Sequence, residues 1–242
     1  MFSTDFLARD QEKRSEIVTD ELASKIVAAK STKRATKQLI YEHALRLFAT
    51  QSYARTGLRD IAQAVGVEVA SLYTHIDGKN ALLFDLMDYG TRDLLQRLTT
   101  ATEVSVDPLA QLFSLVREHV ATNCMRQNQT LVAFNEIREL NEEQRSKILP
   151  LREAIENLYI TCIENAIDDG TMRLVKVRIA VHGILAMERG VATWYRPDGA
   201  MTPEQVGEQY ADQVLRGLLT QGSLSRLGDE PIELAQLASI GD

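Results

Sequence analysis

Apolar residues in this chain recur at helical spacing. Ile40, Ala44, Leu47 and Phe48 fall at i, i+4, i+7 and i+8, one face of an α-helix. That helix is predicted to open near Ser31 or Thr32, either of which can cap it, and to end before Gln51-Ser52-Tyr53-Ala54-Arg55-Thr56-Gly57. A second spans Leu58 to Val65, with Leu58, Ile61, Ala62 and Val65 inward; Gly66 follows, suited to the left-handed residue that closes a helix. A third, from Val67 or Glu68 to His75, is too short to stand alone. Asp77-Gly78 makes a turn, and Lys79 opens a long helix through about Leu98.

Asp107-Pro108 reads as an N-cap with Pro at the first helical position, and the periodicity continues to Met125. A short helix is expected around Thr130–Leu140. Asn141, with Gln144 three residues on, opens another that stops at Asp168-Asp169-Gly170. Pro150 should bend that helix or mark its true start. Leu174 to Tyr195 forms the next. Thr202-Pro203-Glu204-Gln205 starts the last, whose stripe is Val206, Tyr210, Val214 and Leu218. The tail after Gly222 is weakly patterned. Residues 1–29 form a separate extension, mobile or helical through Ile17, Val18, Leu22 and Ile26. No strand and no internal repeat is expected, so the fold class is all-α.

Composition narrows the function. The 242 residues are 45% hydrophobic and 25% charged, which fits one large or two small folded domains and excludes a disordered chain. Cys124 and Cys162 are too few for a disulfide scaffold, so both are read as reduced core side chains. No apolar run reaches membrane-spanning length, and Met1-Phe2-Ser3-Thr4-Asp5 lacks the pattern of a signal peptide; a cytoplasmic protein is expected. Gly78-Lys79-Asn80 is no P-loop, because Tyr73 stands where its first Gly belongs. None of the four histidines has a Glu three residues before it, and no His-Glu-x-x-His, Cys-x-x-Cys or Gly-x-Ser-x-Gly occurs. No metal, cofactor or catalytic residue is expected.

The formal net charge of −7 argues against a nucleic-acid partner when taken whole. It divides unevenly. Residues 1–29 carry −2; residues 30–80 hold eight basic side chains against four acidic ones, a net +4; the remainder carries −9. A basic head is fused to an acidic body, and such asymmetry points to different partners for the two.

Leu58 to His75 has the layout of a helix-turn-helix, whose second helix lies in the DNA major groove. An ordinary helical hairpin accounts for the same periodicity. The residues themselves favour the first. Thr56-Gly57-Leu58-Arg59-Asp60-Ile61-Ala62, then Gly66-Val67-Glu68-Val69-Ala70-Ser71-Leu72-Tyr73-Thr74-His75-Ile76, then Lys79-Asn80-Ala81-Leu82-Leu83, resemble the N-terminal domain of the TetR family over about residues 37–86. Ile76, where the family usually has an aromatic, and Glu68, where a small polar residue is common, depart from it. The resemblance implies that Thr56, Ser71, Tyr73, Thr74, His75 and Lys79 hold phosphates and that Glu68, Val69 and Ala70 face bases. Lys33, Arg34, Lys37, Arg55 and Arg59 are further phosphate candidates, or else solvated surface charges.

The resemblance also implies a dimeric, ligand-responsive repressor: a DNA-binding domain over 30–80 and a ligand-binding and dimerisation domain over 81–242. The partners would be a double-stranded, palindromic DNA operator, a small-molecule inducer and a second copy of the chain. The last two helices would pair with their mates, with Gly183, Ala186, Gly190, Ala192 and Gly217 permitting close approach. Inducer-pocket candidates are Tyr89, Phe113, His119, Phe134, Arg138, Tyr159, Cys162, His182, Met187, Arg189 and Trp194, with Leu86, Val116, Met125 and Ile137 beside them; plain core packing is the other reading of most. A second resemblance, through Trp194-Tyr195-Arg196-Pro197 and Tyr210 to Leu218, is to members that regulate fatty-acid or sterol breakdown. It implies an acyl-CoA thioester as inducer, with Arg189, Trp194 and Arg196 toward the CoA portion, unless Trp194 instead anchors its helix end in the core. A helical protein-interaction scaffold or a cofactor-free enzyme remains as the alternative.

Overall fold

The computed structural model describes residues 34–237, so the extension over 1–29, the predicted caps Ser31 and Thr32, and Lys33 lie outside the described residues. The described chain is helical apart from one isolated antiparallel bridge. Helix α1 covers residues 34–51. It is followed by α2 (Leu58–Val65), α3 (Val69–Leu72), α4 (Lys79–Thr102), α5 (Pro108–Met125), α6 (Gln127–Asn135), a 3-10 turn (Ile137–Glu139), α7 (Glu142–Asp168), α8 (Val177–Trp194), α9 (Pro203–Leu218), α10 (Gln221–Leu227) and α11 (Leu234–Leu237).

The ends are set by local chemistry. The Asp107 carboxylate accepts from the Ala110 amide at 2.7 Å, with Pro108 entering the helix where no N–H is needed. Asn141 and Gln144 cap one another's backbones at 2.9 and 3.1 Å, and Thr202 with Gln205 repeats the device. Gly66, at φ 78°, closes α2 through amide bonds from Gly66 and Val67 to the Ala62 carbonyl.

Several boundaries depart from the sequence reading, among them the helix expected around Thr130–Leu140, which runs Gln127–Asn135. The third helix is a single turn, and its continuation to His75 is looser turn structure. Helix α8 begins at Val177, not Leu174, because residues 171–173 run extended against the end of α9: Arg173 donates to the Leu218 carbonyl and Met172 bridges Leu219. Pro150 lies inside α7 and does not start it; the capping pair at Asn141 outweighs one missing amide. The weakly patterned tail folds as α10 and α11, with Ile232 buried ahead of α11 and Leu237 buried within it.

Two cores result. The larger surrounds α5, which carries Leu109, Leu112, Leu115, Val116 and Val120 fully buried and packs along α4, α7, α8 and α9. Gly207 lets α9 approach α5; a Cβ there would lie 2.5 Å from the Arg117 carbonyl oxygen. The smaller core joins Ile40, Phe48, Ile61, Leu72, Leu82 and Met87. It also takes in Val132, Leu140 and Ile148 from α6, the start of α7 and the connection between them. The head therefore rests on apolar side chains of the body.

Candidate functional site

Helices α2 and α3 form the helix-turn-helix. Glu68, Ala70, Thr74 and Tyr73, the last 59% exposed, look outward from α3 and the turn after it. Arg34, Lys37, Arg55 and Arg59 are exposed on the same head. Val69 and Ser71 are half-buried, Val69 against the small core. The Thr74 hydroxyl donates to the Ser71 carbonyl at 2.8 Å. Two of the expected phosphate contacts point inward. Thr56 is fully buried and its hydroxyl donates to the Ser52 carbonyl at 2.8 Å, so its side chain cannot reach a phosphate. Lys79 turns inward: its ammonium donates to the Tyr53 and Thr56 carbonyls at 3.0 and 2.9 Å and sits 4.0 Å from the Tyr53 ring centroid. It pins the loop before α2. His75 is half-buried with Nδ1 enclosed and unpartnered.

In the body, a cavity of about 210 Å³ opens between α4, α5, α6, α7 and α8. Leu94, Ala133, Phe134, Ile155 and Leu185 supply an apolar lining. Three guanidinium groups, those of Arg126, Arg152 and Arg189, also border it. Arg126 pairs with Asp93 at 2.7 Å, Arg189 lies 3.4 Å over the Phe134 ring, and Arg152 donates to the Ala133 carbonyl while burial lowers its basicity. On one wall, the His119 Nδ1 lies 2.8 Å from the Tyr159 hydroxyl and 3.0 Å from Glu188 Oε2. Tyr159 in turn reaches both Glu188 oxygens at 2.9 and 3.0 Å. Burial pushes the Glu188 carboxyl and the Tyr159 phenol up from their ordinary values, and His119 draws Glu188 back down. Asn123 donates to the Glu188 carbonyl at 3.2 Å and accepts from Thr130 at 2.8 Å.

Of the pocket candidates, His119, Phe134 and Arg189 line this cavity, and Tyr159 lies directly behind His119. The others lie outside it. Phe113, Val116 and Cys162 are packed in the large core. Leu86 and Ile137 belong to the small one. Tyr89 is 67% exposed beside a groove between α1 and α4. Arg138 and Met125 are exposed. His182 is exposed beside Glu156 at 3.3 Å. Met187 faces a groove between α8 and α9. Trp194 is neither in the cavity nor in the core: it is half-exposed and stacks on Tyr210. Arg196 is exposed as well. Ala192, named for close approach between chains, is buried within its own. Sequence reasoning missed Glu188, Arg126 and Arg152. Glu188 was detectable, since it shares the buried stripe Val181, Ile184, Val191 on α8.

One route links the cavity to the head. Gln129, Thr130, Ala133 and Phe134 line the cavity from α6. Just past the end of α6, the Glu136 carboxylate accepts from the Tyr53 amide at 3.2 Å, in the loop that Lys79 pins. Asn80 donates to the Glu139 carbonyl at 3.1 Å alongside.

A helix-turn-helix head on a helical body with an internal cavity defines a DNA-binding regulator. Residues 40–86 match the profile of bacterial regulatory proteins of the tetR family, and residues 105–218 match that of the tetracyclin repressor-like C-terminal domain. Together these span about two thirds of the chain, which belongs to the TetR family and is a transcriptional repressor, not an enzyme. Among its relatives is the HTH-type transcriptional repressor KstR2 of Rhodococcus jostii (strain RHA1), 27% identical over 78% of this chain and 93% of the relative. The structure of the ketosteroid transcriptional regulator KstR2 of Mycobacterium tuberculosis has the same fold, with a TM-score of 0.72, 24% identity, and 76% and 95% of the two chains covered. AibR in complex with isovaleryl coenzyme A and operator DNA matches with a TM-score of 0.67 and 25% identity, over 76% and 98% of the chains. No helix among the described residues is long and apolar enough to cross a membrane.

Proposed function

We propose that this repressor binds a palindromic operator as a homodimer in the cytoplasm and is released by an acyl-CoA thioester. Residues 30–80 read the DNA, and 81–242 hold the inducer and the dimer contact. The carrying observation is the cavity itself: an apolar lining bordered by three guanidinium groups, which suits an acyl chain joined to a polyanion. The complex of AibR with isovaleryl coenzyme A supports the ligand class, and the names of the KstR2 relatives support a role in sterol or lipid breakdown. Arg34, Lys37, Arg55, Arg59, Ser71, Tyr73 and Thr74 hold phosphates, while Glu68, Val69 and Ala70 face bases.

Helices α8 and α9 form the dimer contact. Gly183, Ile184, Met187, Val214, Gly217 and Leu218 line an open groove there, and a Cβ on Gly183, Gly190 or Gly217 would meet nothing within 4 Å. Release is a population shift: the inducer binds more tightly to the spacing of recognition helices that does not fit the operator. Helix α4 carries the coupling, since it lines the cavity at Gly90 and Leu94 and pins the head loop through Lys79; α6 and Glu136 provide a second link.

Mobility-shift titration of the operator across acyl-CoAs of graded chain length tests the proposal. An active inducer should weaken operator binding by about 5- to 150-fold, the usual range of coupling between sites. Unchanged affinity under saturating acyl-CoAs of every length would rule out this inducer class.

A further inference from the structure

Glu188 is fully buried, and the His119 ring, 3.0 Å from Oε2, is the sole basic side chain within ion-pair distance of it among the described residues. Burying a carboxylate with no compensating positive charge is costly. Two proton arrangements that share one proton between the carboxyl group and the ring avoid that cost. In one, Glu188 is ionised and His119 is an imidazolium that donates from Nδ1. In the other, Glu188 keeps its proton and donates it to the neutral ring at Nδ1. Tyr159 donates to the remaining carboxyl oxygen in both, at 2.9 Å. The arrangements differ only in where one proton sits between Nδ1 and the carboxyl group. They agree at the far side of the ring, where Nε2 carries a hydrogen either way.

That nitrogen has no protein partner among the described residues. It is also absent from the polar atoms that are enclosed and unpartnered, and His119 lines the cavity. Leu94, Ile155 and Leu185, which offer no hydrogen bond, line the same cavity. We infer that His119, held by Glu188 and Tyr159, presents a fixed N–H donor to the cavity, and that the ligand sets a carbonyl oxygen against it within an otherwise apolar body. This rests on the reading of the cavity as the inducer site and adds the chemistry that site selects: an acceptor at a fixed depth, not chain length alone. An acceptor-free ligand would strand the donor, a larger loss than the bond itself is worth.

The test uses the full chain with 15N-labelled histidine. The His119 signals are assigned by their loss in His119→Gln. In the free wild type at pH 7, Nε2 should be protonated. Cyclohexanone and methylenecyclohexane, which match in shape but differ in C=O against C=CH2, are then titrated in. The ketone should shift the His119 Nε2 resonance and bind at least about tenfold tighter than the hydrocarbon, which leaves the donor unsatisfied in an enclosed site. In Glu188→Gln that preference should fall, because the amide no longer dictates which ring nitrogen is protonated. An unprotonated Nε2, equal binding of the two probes, or no ketone binding would overturn the inference. Operator release by acyl-CoA is read separately by mobility shift, so failure of either reading is recognisable without the other.

Discussion

Lys79 and Glu188 are ionisable side chains whose work is internal, and each leaves a measurable trace. Lys79→Ala strands the Thr56 carbonyl, leaves the Tyr53 carbonyl with only the Thr56 amide, and should lower stability in urea by about 1–3 kcal/mol. Arg59→Ala, on the exposed head, should leave stability unchanged and instead reduce the slope of log operator affinity against log salt by about 1.8, two phosphate contacts per dimer. Equal stability of Lys79→Ala and wild type would return Lys79 to the list of phosphate contacts. Glu188 carries a pH signature. Burial holds its carboxyl above the ordinary 4.5, so the folded chain keeps that proton to higher pH than the unfolded chain does. The resulting stabilisation is complete below 4.5 and is lost as pH rises through the raised value. Glu188→Gln abolishes it. Wild-type stability relative to this variant should therefore fall with rising pH, and a flat difference in denaturation midpoints would contradict the buried, proton-retaining carboxyl.

Among the elements, α6 and α9 have the most specific duties. Helix α6 is short, but it lines the cavity along one face and Glu136 at its end holds the Tyr53 amide. Glu136→Ala should bind effector normally by calorimetry while the effector's influence on operator affinity drops several-fold, within the range by which residues between two sites modulate coupling. Full retention of that influence would leave α4 as the sole carrier. Helix α9 depends on Gly207 for its approach to α5. Gly207→Ala forces a Cβ to 2.5 Å from a backbone oxygen that cannot swing aside, and overpacking of this kind costs about 1–3 kcal/mol in a denaturant titration.

At the scale of the molecule, charge and apolar surface divide the work. A basic head on an acidic body concentrates positive potential where phosphates dock and discourages DNA elsewhere. The open groove between α8 and α9 is the apolar surface that a second copy would cover. Met187→Glu, which places a charge in that groove, should shift sedimentation from dimer to monomer and reduce operator binding in parallel, since one half-site holds far less tightly than two. A variant that stays dimeric would move the interface away from α8 and α9.

Much of this was legible in the order of residues alone. Caps and periodicity are local, so Leu58–Val65, the start at Pro108 and the capping pair of Asn141 and Gln144 could be read directly. So could the helix-turn-helix and the charge split. What a polar side chain faces is not local. Thr56 and Lys79 sit in the motif expected to touch DNA, yet the fold turns both inward, because the loop before α2 needs its carbonyls satisfied. The cavity draws on five helices far apart in sequence, and Phe113 and Cys162, on apolar stripes like those of its lining, are packed away from it. Sequence determined the helices and the head that binds DNA. Only tertiary packing decided which buried groups met as Glu188, Tyr159 and His119, because a buried charge is stable only beside partners that the fold brings to it.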